Sequence, residues 1–123
     1  MQSIAGRLNQ IMQQTFIKPK TIVVKPPIFF NAANALDFAQ ELTTVISQGN
    51  CSILVVDFEQ VEFLDSTGLM VLVSGIKLAE KLEQRLSLCS ISPVIRMIFE
   101  LTQLDEVFEI VESYSLLLTS NYS

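Results

Sequence analysis

Between Lys18 and Ser113, short apolar runs and helical stripes take turns along the chain. "TIVV", Thr21 to Val24, is β-branched and predicts a strand. Pro26 and Pro27 interrupt its ladder because neither can donate a hydrogen bond, so the strand either ends there or runs along an edge and resumes at "IFF", Ile28 to Phe30. From Asn31 or Asn34 to about Ser47 the period turns helical. Ala35, Phe38, Leu42, Val45 and Ile46 share one stripe, and Gly49-Asn50 stops the helix. "SILVVDF", Ser52 to Phe58, is a continuous apolar run of strand length, the pattern of a central strand covered on both faces. "EQVEFL", Glu59 to Leu64, reads as a connector.

The longest helix is predicted from Ser66 to about Gln84. Leu69, Leu72, Val73, Ile76, Ala79 and then Glu80 or Leu82 follow its buried period, while Lys77, Lys81 and Glu83 lie on the wet side. "LSLCSI", Leu86 to Ile91, is the next strand. Ser92 as N-cap and Pro93 at the first helical position then open a helix over "SPVIRMIFELTQL", with Val94, Ile95, Ile98, Phe99 and Leu101 inward. "VFEIVES", Val107 to Ser113, alternates apolar and acidic residues as a half-buried edge strand does. Residues 1–17 are Gln-rich, with Ile4, Leu8, Ile11 and Met12 at helical spacing around Gly6, and are expected to form a short helix or frayed arm; residues 114–123 form a C-terminal tail.

Strand and helix alternate with short connections, so right-handed crossovers give one α/β domain over residues 18–113. Its sheet is mostly parallel, of four or five strands, with helices packed on it. Composition fits: half of the 123 residues are apolar, enough to bury elements on more than one face. Eight Lys and Arg against 13 Asp and Glu leave a net charge of −5, a field that repels phosphate backbones and disfavours nucleic acid as a partner. No uncharged apolar run reaches the ~20 residues that span a bilayer, and no basic start followed by an apolar core opens the chain, so no membrane insertion and a cytoplasmic location are expected. Cys51 and Cys89 have no CxxC partner, which supports neither a zinc site nor a disulfide framework. Histidine is absent, removing the usual general base, the Ser-His and Cys-His pairs and the commonest metal ligand. An enzyme is not expected, and no cofactor or metal is implied.

With 4 Gly in the chain, neither GxGxxG nor GxxxxGK[ST] occurs, so a nucleotide-binding domain has no support. Asp57 lies late in a buried strand but lacks the acidic pair that a phosphoacceptor aspartate keeps at the end of the first core strand. "DSTG", Asp65 to Gly68, stands apart from these. Asp65, Ser66 or Thr67 would cap the following helix, worth ~1 kcal/mol relative to Ala. A phosphate on Ser66 would also sit at the positive end of the helix dipole, facing free backbone N–H groups. It would bring roughly −1.5 to −2 charges beside Glu62 and Asp65, so its effect would fall on whatever docks there. Phe29, Phe30, Phe63 and Met70 are either core or, if exposed, an apolar patch around Ser66 suited to binding.

"VVDFEQVEFLDSTGL" and "SISPVIRMIFELTQLDEVFEI" together resemble the STAS domain, and within it the bacterial anti-sigma-factor antagonists. The resemblance runs from about Thr21 to Val111. It implies a STAS-type fold and a regulatory binding module that docks on an anti-sigma factor serine kinase and is released when that kinase phosphorylates Ser66, with a phosphatase resetting it. It assigns partner-binding positions to Asn31, Glu62, Asp65, Ser66, Thr67, Gly68 and Met70. The chain departs from the family at "PPIFFNAANA": Ile28, Phe29 and Phe30 stand where a Gly is usual and Asn31 where Asp is common, on the family's partner-facing loop. The alternative is a STAS subunit of another assembly, in stress signalling or lipid transport, in which Ser66 only caps its helix. The oligomeric state is not legible.

Overall fold

In the computed structural model, residues 20–49 and 51–113 are described. The arm expected over residues 1–17 and the tail over 114–123 lie outside them. In chain order the elements are β1 (Thr21–Val24), β2 (Phe29–Phe30), α1 (Ala35–Gln48), β3 (Ile53–Asp57), β4 (Phe63–Leu64), α2 (Ser66–Lys81), β5 (Arg85–Cys89), α3 (Pro93–Leu101), a 3-10 turn (Leu104–Glu106) and β6 (Glu109–Val111). β1, β3, β5 and β6 form one sheet in that spatial order, every pair parallel. Each strand is thus joined to its neighbour by a crossover that carries one helix, and each crossover steps the same way across the sheet. Right-handed connections of that kind place all three helices on one face.

The burial pattern agrees with that one-sided stacking. Leu54, Val56, Leu86 and Leu88 point into the same core as Phe38, Leu42, Leu72, Ile76, Ile95 and Phe99, and rings close its two ends: Phe30 on Phe38 at 5.1 Å, Phe99 on Phe108 at 5.8 Å. Gly49 ends α1 in the left-handed region at φ 65°, donating its N–H back to the Ile46 carbonyl, as the Gly-Asn stop predicts. Ser92 caps α3 through the Ile95 N–H with Pro93 at the first position, also as predicted.

Several expectations are corrected. The connector "EQVEFL" holds a strand, β4, which pairs in parallel with β2 as a separate two-stranded sheet, so "IFF" does not rejoin the ladder of β1. Two-residue strands are too short to show a period. α2 ends at Lys81, leaving Glu80 and Leu82 exposed, because a left-handed Glu83 turns the chain into β5. On α3 only Ile95 and Phe99 are fully buried; Val94 and Leu101 face outward with Met97, since the core meets this helix along one narrow line. The last strand is shorter than "VFEIVES": Val107 and Phe108 form the turn and bend that follow the 3-10 turn, and the strand ends at Val111.

Candidate functional site

The two-stranded sheet builds the site. β2 and β4 pair Phe29 with Phe63 and Phe30 with Leu64. The Ile28 carbonyl accepts the N–H groups of Glu62 and Phe63, and the Phe30 carbonyl accepts that of Asp65 at 3.2 Å. Side chains alternate along a strand, so one pair goes in and the other out. Phe30 and Leu64 are buried; Phe29 and Phe63 stand side by side, about half exposed. The ring question posed by the sequence is therefore answered in both ways, residue by residue.

Asp65 is the residue that caps α2. Its backbone is extended, its Oδ1 accepts the Gly68 N–H at 3.0 Å, and its carbonyl accepts that of Leu69. Its second oxygen reaches across 33 positions of sequence to accept the Ala32 N–H at 3.1 Å. One carboxylate thus ties the α2 N-terminus to the loop that enters α1. That loop is folded on itself: Asn31 Oδ1 accepts the Ala33 N–H, Asn34 Oδ1 accepts the Asn31 N–H, and Asn34 Nδ2 donates to the Phe29 carbonyl at 2.6 Å. Asn34 precedes α1 without capping it through its side chain; its hydrogen bonds run backwards to β2 and Asn31.

Gly68 explains how the two parts come so close. A Cβ there would lie 2.7 Å from Leu64 Cδ1 and 2.9 Å from the Phe30 carbonyl oxygen, so the first turn of α2 rests directly on the β2–β4 sheet. Ser66 is the first helical residue and is exposed, as are Thr67, Glu62 and Met70. Asn31 is half-buried with its side chain committed to the turn, and Gly68 is buried, so it shapes the site without offering a side chain to it. The outward apolar residues on β2, β4 and the first turn of α2 are Phe29, Phe63 and Met70, with Ile28 just before β2. Ile28 was noted in the sequence only as standing where a Gly is usual, and the Asp65 link to Ala32 was not read from it at all. Only the pairing of β2 with β4 brings them to one place.

Chemistry elsewhere is sparse. Asp57 is buried, with one oxygen on the Glu59 N–H at 2.9 Å and the other 4.0 Å from Lys25 Nζ, the geometry of a loop anchor. An open cleft of about 300 Å³ beside α1 is lined by Lys25, Pro27, Asn34, Asp37, Phe38 and Glu41, a mixture of one cation and two carboxylates. Among the described residues, no group of three or more His, Cys, Asp or Glu is placed to hold a metal ion. Nor is any helix among them long and apolar enough to cross a membrane.

A parallel sheet with its helices stacked on one face and an exposed serine beside a cap aspartate defines the class of this molecule. Residues 12–116 match the sequence model of the STAS domain, and the chain belongs to that family. Its relatives include the Bordetella bronchiseptica protein BtrV, named as an anti-sigma factor antagonist and 28% identical over 83 residues, 68% of this chain and 71% of BtrV. Among solved structures, an anti-sigma factor antagonist of Thermotoga maritima superposes with a TM-score of 0.76 at 20% identity, over 90% of this chain and 99% of that one. The Bacillus cell fate determinant SpoIIAA, solved in its phosphorylated form, superposes with a TM-score of 0.65 at 19% identity, over 85% of this chain and 95% of SpoIIAA. At those identities the two structures share the fold.

Proposed function

We propose that this chain is an anti-sigma factor antagonist, a cytoplasmic regulatory module that binds an anti-sigma factor serine kinase and lets go when Ser66 is phosphorylated. It is a substrate of that kinase and not itself an enzyme, and a phosphatase resets it. The observation that carries the reading is the placement of Ser66: an exposed hydroxyl on the first residue of α2, directly after a cap aspartate and inside a rim of outward apolar side chains. A phosphate there is compatible with the fold, because it sits at the positive end of a 16-residue helix. It is incompatible with an apolar interface, since it adds about 1.5 to 2 negative charges next to Asp65 and within four residues of Glu62. The name of BtrV and the phosphorylated form of SpoIIAA support the same reading.

The test is phosphate transfer from ATP by candidate anti-sigma kinases to the wild-type chain and to Ser66→Ala, followed by co-purification. Labelling of wild type alone, with release of the kinase on phosphorylation, is expected. Equal labelling of Ser66→Ala overturns the site. Co-purification of membrane-transport components with no kinase supports instead a STAS subunit of another assembly.

A further inference from the structure

α3 buries Ile95 and Phe99 and turns an apolar stripe the other way. Val94, Met97 and Leu101 follow one another at helical spacing, so they adjoin along the helix surface. They are 68%, 58% and 79% exposed, and Leu101 is the most exposed large apolar side chain among the described residues. At 3.6 residues per turn, Met97 lies opposite the midline between Ile95 and Phe99. Val94 and Leu101 flank it on one side, Arg96 and Glu100 on the other. Apolar side chains scattered singly over a surface need no explanation; three adjoining on one helix face mark an interaction surface.

We propose that this stripe is the contact through which two copies of the chain pair, their α3 helices antiparallel about a two-fold axis. The charges beside it select a second copy as the occupant. Arg96 and Glu100 stand one helical turn apart on the same flank, yet the ion pairs among the described residues use neither. A two-fold axis between antiparallel helices brings like flanks together and reverses their direction. Arg96 of each copy then meets Glu100 of the other, giving two ion pairs along one edge of the contact. The same operation lays Val94 against Leu101 of the other copy and sets Met97 beside its own counterpart. These three pairings are centred on the same turn of helix, so one register satisfies them all. Parallel helices would put the charged flanks on opposite edges, where they could not meet. The contact is small: the stripe spans ~10 Å of helix, and three side chains a copy bury well under the ~800 Å² per partner of a standard interface. A charge of −5 on each copy adds long-range repulsion. The dimer is therefore a weak one that forms and parts with concentration.

The test is sedimentation velocity of the full chain from micromolar to millimolar concentration. Wild type should pass from monomer to dimer over that range. Met97→Lys, at the centre of the contact, should raise the dissociation constant by ~30-fold or more. Leu36→Lys, the same kind of change at a leucine 70% exposed on α1, should leave it unchanged. Arg96→Glu and Glu100→Arg place four like charges at the contact and should each stay monomeric. Their equimolar mixture, and the double variant Arg96→Glu/Glu100→Arg, should dimerise again, because opposite charges then face each other once more. The proposal is overturned if wild type is monomeric throughout, or if the dimer survives Met97→Lys or either single charge reversal. It is also overturned if Leu36→Lys abolishes the dimer, or if neither the mixture nor the double variant restores it.

Discussion

Asp65 offers the sharpest test of how the site is held, because its two oxygens can be removed one at a time. Oδ1 caps α2 through the Gly68 N–H and Oδ2 holds the Ala32 N–H, at 3.0 and 3.1 Å. Replacement by Ala removes both. The cap is worth ~1 kcal/mol. The second bond ends on a charged acceptor but on an exposed loop, where water can substitute, and is set at ~1 kcal/mol, below the ~1.5–3 kcal/mol of bonds to charged groups that are shielded from water. Asp65→Ala should therefore cost ~2 kcal/mol. Asp65→Asn keeps the capping oxygen and turns an amide N–H against the Ala32 N–H, so it should cost ~1 kcal/mol. Urea unfolding followed by far-UV circular dichroism reads both numbers from the midpoint at an unchanged slope. Hydrogen exchange adds location: the Ala32 amide should lose protection in both variants, and the Gly68 amide in Asp65→Ala alone. Equal costs for Asn and Ala, or an Ala32 amide unmoved by either, would refute the two-oxygen account.

Gly68→Ala and Gly75→Ala make the same change on the same helix and should part company. At Gly68 the new methyl meets a backbone carbonyl at 2.9 Å, so overpacking outweighs the gain in helix propensity and the net cost is ~1–2 kcal/mol; at Gly75 it meets only the end of Leu42 at 3.2 Å, and the change stays within ~0.5 kcal/mol. Phe63→Ala, at a ring half exposed, should leave thermal stability nearly intact and weaken kinase binding by ~10-fold in a calorimetric titration. Ser66→Asp should fold as well as wild type, its charge suiting the helix N-terminus, and fail to retain the kinase in the same titration. Glu109 gives a pH signature. Burial pushes its carboxyl up, but the hydrogen bonds from Arg85 and Ser87 and the Arg85 charge together outweigh that and hold it below the ordinary value of 4.5. Its stabilisation is thus present above that pH and lost as pH falls through the lowered value. Glu109→Gln should be ~0.5–1 kcal/mol less stable at neutral pH, the small figure suiting a pair about 40% exposed, with the gap closing in urea titrations as pH falls through the lowered value.

The sequence by itself determined the elements that repeat a period over three or more turns or strand positions. α1, α2 and α3, the central strand β3 and the parallel order followed from apolar spacing, the Gly49 stop and the Ser92-Pro93 start, all of which act within a few residues of where they are read. The quoted motifs carried the family and the choice of Ser66. What tertiary structure alone decided was everything that depends on distant segments meeting. β2 and β4 are two residues each and exist because they pair with one another, 34 positions apart in register. That pairing sent Phe30 and Leu64 inward and Phe29 and Phe63 outward, made Gly68 a packing necessity, and turned Asp65 from a local cap into a tie between two loops. On α3 the apolar residues outnumber the core positions available, so the spacing of Val94 and Leu101 read as buried until the sheet showed where contact ends. Periodicity states which residues can share a face; only the neighbouring chain states which face is covered.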